Sequence, residues 1–211
     1  MCIIRCWLER LSRCAYKDAE FENIIFNPTL IKLLFEHEKN PSLQFYTKET
    51  TLHYCIANFE LQAIKFVKDH LKISKKISID FSLCNNNLEQ CNGVILKILN
   101  EGVKLPHVCI ISKVNPSIVE LIKNKIITST NCSNIVPRIE FEVDGWARFW
   151  NFNYLHRRDG VTTKEFIYYG THYYSSSYEI ANINDPNVVF LINYEGTTNI
   201  YRNLAFTIQR K

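Results

Sequence analysis

No CxxC pair, Gly-rich phosphate loop, GxSxG elbow or HExxH helix occurs in this chain, so the usual zinc, nucleotide, serine-hydrolase and metalloprotease signatures are missing. Glycine and proline are scarce, six of each in 211 residues, which excludes collagen-like and low-complexity architectures. No apolar run approaches the ~18 residues needed to span a bilayer. Arg5, Glu9 and Arg10 interrupt any would-be signal-peptide core at the N-terminus, so export by the general route is not expected and the cytosol is the default setting. Charge is also sparse. The net value of +4 is too small for a nucleic-acid binder, which would carry a basic stripe interleaved with aromatics. The densest basic cluster, Lys72, Lys75 and Lys76, reads as a solvated helix end. With 46% of residues apolar, the chain is expected to fold as one domain or slightly more.

Eight cysteines stand at positions 2, 6, 14, 55, 84, 91, 109 and 132. Unpaired spacing in a chain without an export signal reads as reduced thiols that pack as small hydrophobes. Cys2 and Cys6, beside Ile3, Ile4, Trp7 and Leu8, are palmitoylation candidates, although packing of an amphipathic first helix explains them as well.

What the chain does contain is internal order. A period of 27 residues runs across positions 51–131. Tyr54, Phe81 and Val108 are in step, as are Ile56, Leu83 and Ile110, then Ile64, Cys91 and Ile118, then Val67, Val94 and Leu121. Each unit opens with an alternating stretch that predicts a short strand and continues into a helix, over 61–71, 88–99 and 116–126. Strands joined in step by helices must run parallel, because a hairpin cannot make that connection. Polar residues alternate with apolar ones in the strands, so one sheet face is expected to be wet.

The middle unit, Phe81-Ser-Leu-Cys-Asn-Asn86-Asn-Leu88 followed by a helix and Gly102, resembles the leucine-rich repeat of the ribonuclease-inhibitor type. The resemblance spans residues 51–131 and implies a curved scaffold that binds another protein on its concave side.

Around the repeat, residues 1–50 read as a helical N-terminal cap, with helices over 2–15 and 28–38. The repeats occupy 51–135. Residues 136–211 read as an antiparallel β meander, since 16 of the chain's 27 aromatics fall between 141 and 211 and alternation replaces helical spacing. The expected fold class is therefore α/β: a short parallel strand-helix repeat with a helical cap and an antiparallel C-terminal part.

The period makes one chemical prediction. His53, Asp80 and His107 are 27 apart, so in-register parallel strands would set them side by side about 5 Å apart, with Cys55, Ser82 and Cys109 as the next row. Imidazoles, a carboxylate and thiols in reach of one another could serve a Cys-His nucleophile or zinc. The simpler reading is a hydrogen-bonded ladder on a solvated face. His156 to Asp159 at a hairpin tip, and Trp146, Trp150, Tyr168, Tyr169, Tyr173 and Tyr174 as an aromatic platform, are further candidates that surface solvation and core packing explain equally well.

The sequence reading is thus a non-enzymatic protein-protein interaction scaffold with no cofactor and no metal, binding a protein partner through Cys55, Asp80, Ser82 and His107. Asn, Ile and Lys supply 63 of 211 residues, an AT-rich codon bias that suits an effector of an intracellular bacterium or large virus in a host cytosol. The alternative is a thiol- or metal-dependent hydrolase or transferase that uses His53, Asp80, His107 and Cys109.

Overall fold

The computed structural model describes residues 2–22, 28–35, 43–53, 60–81, 88–101, 104–112, 116–143, 162–168, 171–197 and 204–211. In chain order the elements are α1 (Cys2–Ser12), β1 (Ala15–Glu22), α2 (Pro28–Leu34), β2 (Phe45–His53), α3 (Glu60–His70), β3 (Leu71–Asp80), α4 (Leu88–Leu99) and β4 (Val108–Ser112). There follow α5 (Pro116–Thr128), a 3-10 turn (Cys132–Asn134), β5 (Arg138–Val143), β6 (Thr162–Tyr168), β7 (Thr171–Ala181), β8 (Val189–Thr197) and β9 (Leu204–Arg210).

The nine strands among the described residues form one sheet in the order β1-β2-β3-β4-β5-β9-β8-β7-β6. The first five run parallel, each beside its predecessor, and the rest are antiparallel. Right-handed crossovers that always step the same way put their helices on the same side of the sheet. Burial agrees: Leu52, Ile77, Ile79, Ile110, Ile139 and Phe141 from the strands share one apolar core with Phe66, Ile98, Ile118 and Ile122 from the helices. Phe190, Ile192, Phe206 and Ile208 carry that core under the antiparallel half. Each such side chain contributes about 1.5–3 kcal/mol by leaving water.

Local chemistry accounts for the elements. Pro116 opens α5, where its fixed φ suits a first turn. Buried Ile118, Val119, Ile122 and Ile126 recur at helical steps along it. Strand β2 alternates cleanly except between Thr47 and Thr50, opposite a bulge that gives β3 one extra residue, since Thr47 and Glu49 lie beside Ile73 and Lys76. There the two buried hydroxyls of Thr47 and Thr50 bond to each other at 2.5 Å.

The mixed α/β class is as expected from the sequence, but the sequence reading is corrected in four respects. The step between cross-strand neighbours is 31 residues for β1 to β2 (Ala15 with Tyr46), 27 for Ile77 with Thr50, then 31 again for Ile77 with Val108 and Val108 with Ile139. The 27-residue period therefore describes one of the two steps it was read from, β2 to β3, and not the step from β3 to β4. Strand β1 falls inside the segment read as all helix. Lys72, Lys75 and Lys76 lie on β3 and not at a helix end. Nor is the C-terminal part a simple meander from residue 139, because β9 folds back between β5 and β8.

Candidate functional site

The sheet face turned away from the helices carries two polar clusters, both built by strand register. Cross-strand neighbours Glu22, His53 and Asp80 align on β1, β2 and β3. Glu20, beside Thr51 two positions before His53, reaches up to the imidazole. His53 Nε2 lies 2.7 Å from Glu20 Oε1 and His53 Nδ1 lies 3.1 Å from Asp80 Oδ2.

Both ring nitrogens thus face acceptors, an arrangement that only the doubly protonated imidazolium satisfies as donor. Burial works against that charge, but the hydrogen bonds that the imidazolium donates to Glu20 and Asp80, with the charge of both carboxylates, outweigh it and raise the His53 pKa above its ordinary value. An imidazole held in this way has no free lone pair for a metal and no vacant position for base catalysis.

The second cluster spans β3, β4 and β5. Ser78, Cys109 and Glu140 are neighbours across the strands, and Asp80, Ile111 and Glu142 form the next row. Alternation brings Lys76 and His107 onto the same face one step earlier. Cys109 is fully buried, and its thiol donates to Glu142 Oε1 at 3.3 Å. Lys76 Nζ sits 3.5 Å from Glu140 Oε2 and 3.6 Å from Glu142 Oε1. His107 Nε2 is 3.0 Å from Glu140 Oε2, an ion-pair distance, although this buried nitrogen makes no well-aligned hydrogen bond.

Burial pushes the Cys109 thiol up to about 12; Lys76 opposes this, while Glu142 and Glu140 add to it. Burial also lowers the His107 pKa, helped by Arg138 and Lys76 and opposed by Glu140. For Lys76, burial is outweighed by the Cys109 sulfur and the two carboxylates, so its ammonium is held charged.

Near neutral pH the cluster therefore contains a protonated thiol, a neutral imidazole and a lysine against two carboxylates. A nucleophilic cysteine needs the reverse, a depressed thiol pKa beside a cationic histidine. The donor atoms of Cys109, Glu140 and Glu142 all lie within 4.8 Å of one another, a spacing from which a metal ion could be held. Lys76 already supplies the cation there.

The row predicted from the sequence is only half formed. His53 and Asp80 do meet across β2 and β3. His107 does not join them, because the 31-residue step to β4 sets Ile111 beside Asp80 and leaves His107 near Lys76. Cys109 stands with Glu140 and Glu142 and not in a row of thiols. Cys55 and Ser82 lie outside the described residues, as do residues 144–161 with the hairpin-tip candidates, and Tyr169. Sequence reasoning missed Glu20, Lys76, Glu140 and Glu142, although the alternation Glu140-Phe141-Glu142 placed two carboxylates on one strand face.

Residues 1–82 match a family described as a domain of unknown function (DUF8381), which covers less than half of the chain. No curated protein matches. Among solved structures, the sugar N-methyltransferase KedS8 from Streptoalloteichus sp. is similar at 9% identity over 98% of this chain and 70% of that one. Its TM-score of 0.20 is too low for the likeness to carry an argument.

These findings overturn the leucine-rich-repeat resemblance. The matched family is a different one, and the strands belong to a broad mixed sheet with unequal steps and not to a solenoid. Among the described residues no helix is long and apolar enough to cross a membrane.

Proposed function

We propose that this chain is a non-catalytic binding module that docks a partner protein on the open face of its sheet. The observation that supports this most strongly is one-sided cover: the described helices pack on one face, and the other presents Glu20, Glu49, Asp80, Glu140 and Glu142 arranged around His53 and Lys76. Nine strands about 4.8 Å apart and about eight residues long make a face of about 1,000 Å², enough for the ~800 Å² that one partner contributes to a standard interface. Its carboxylates favour a partner with a basic surface. The codon bias supports an effector of an intracellular bacterium or large virus, acting in a host cytosol, as the setting.

The rival reading, a hydrolase or transferase at His53, Asp80, His107 and Cys109, has less support. His53 is locked between two carboxylates and the Cys109 thiol is held protonated. The test is co-purification with the wild-type chain, with Asp80→Lys/Glu142→Lys, and with Lys97→Glu on a helix, all matched for folding by circular dichroism. A partner lost only from the sheet-face variant supports docking there. If every partner is retained by that variant, the proposal fails.

A further inference from the structure

A cavity of about 540 Å³ opens at the N-terminal ends of β1, β2 and β3, at the far end of these strands from His53 and Asp80. Its size falls within the range of small-molecule sites. Register builds it: Ala15, Tyr46 and Lys72 are neighbours across the three strands, and Tyr16, Thr47 and Ile73 form the row above. Tyr16, Tyr46, Lys48, Lys72 and Lys104 contribute to its wall, and among the described residues no acidic one does.

This absence is unusual for the surrounding surface, where cations are matched. Lys75 is held by Glu49 at 2.5 Å, and Lys76 sits between Glu140 and Glu142. Of the basic triplet conspicuous in the sequence, only Lys72 is left at the cavity, with no ion pair among the described residues. Glu49, next to Lys48, is engaged by Lys75. Lys104 comes from the turn after α4, and its Nζ donates to the Lys68 carbonyl at 3.1 Å, which holds it beside the end of α3.

We propose that this cavity binds the phosphate group of a small phosphorylated organic molecule. Lys48, Lys72 and Lys104 supply the positive charge, and the half-exposed Tyr46 ring offers a surface for the organic part. Three cations around one opening exceed what a single carboxylate would balance and suit a dianion better. The inference uses residues other than those of the two polar clusters, at the other end of the strands.

The experiment is calorimetric titration of the whole chain with adenosine monophosphate, inorganic pyrophosphate, adenosine and citrate. Adenosine monophosphate should bind saturably with a Kd of about 1 mM or tighter, pyrophosphate more weakly, and adenosine not at all. Lys72→Glu/Lys104→Glu should weaken binding at least about tenfold, whereas Lys97→Glu on α4 should leave it unchanged. If the double variant does not fold, Lys72→Gln takes its place, with weakening of about threefold expected. Absence of saturable binding by both phosphate probes, binding indifferent to the lysine variants, or citrate binding as tightly as any phosphate would each overturn the assignment.

Discussion

Asn182, just after β7 and only 1% exposed, should be the polar side chain whose loss unfolds this protein most readily. Its Nδ2 donates to the carbonyls of Ile126 at 2.5 Å and Ser129 at 2.9 Å, and its Oδ1 accepts from the amides of Asn184 at 2.8 Å and Asp185 at 2.9 Å. One amide thereby caps the carbonyl end of α5 and fixes the turn from β7 toward β8. Truncation to alanine removes all four bonds. The Ser129 carbonyl keeps a second donor in Asn184 Nδ2, and the turn amides lie near solvent, so most of the cost falls on the Ile126 carbonyl.

A buried acceptor without a proper donor costs about 1–3 kcal/mol, and the remaining bonds about 0.5–1.5 kcal/mol each, which suggests roughly 3 kcal/mol for Asn182→Ala. Urea unfolding should show a lower midpoint at unchanged slope, and the melting temperature should fall by about 6–12 °C for a chain of this size. Asn182→Asp should be at least as damaging near neutral pH, because it sets a carboxylate against carbonyls at the negative end of a helix, and it should recover partly in acid when that group becomes a donor. Unfolding of both variants within about 1 kcal/mol of wild type would refute this account.

Other consequences can be checked separately. Phe66 is fully enclosed, with Phe21, Phe45 and His70 at ring distances of 5.5, 6.2 and 5.8 Å, and Phe66→Ala should cost about 3–5 kcal/mol in denaturant unfolding. The raised pKa of His53 means that its contribution to stability is complete below the ordinary histidine value of about 6.5 and is lost as pH rises through the folded-state value above it. The difference in stability between wild type and His53→Gln should therefore shrink with rising pH over that interval; a difference that grows would contradict the pairing with Glu20 and Asp80. In timed alkylation with iodoacetamide at pH 7, read by mass spectrometry, exposed Cys6 and Cys14 should be modified while Cys109 waits for denaturant. Equal rates at Cys6 and Cys109 would restore the nucleophile reading.

The sequence pattern carried the class of elements further than their placement. Alternation in 77–83 and helical spacing in 88–99 and 116–126 identified β3, α4 and α5, because each buries one face and therefore writes a periodicity into the chain. Strand β1 left no such trace. It lies at the sheet edge, where Lys17, Asp18 and Glu20 meet water, so no apolar alternation was required.

Register was the harder quantity. Which residue of β4 lies beside Asp80 depends on how much chain α4 and its flanking loops consume, and that length leaves no periodic mark. The four-residue difference between a 27- and a 31-residue step was enough to separate His107 from His53. The same difference hid Glu140 and Glu142, which join Cys109 only once β5 has taken its place.

The position of β9 bears on how the chain can acquire its fold. Sixth in the sheet order and lodged between β5 and β8, it is the seam that joins the parallel half to the antiparallel half. The first five strands can assemble in succession during synthesis, each against the one already formed, whereas the two halves cannot unite before this late segment has left the ribosome. Until then, β5 offers an unpaired margin to whatever it meets, which makes those moments the ones in which a chaperone would matter most.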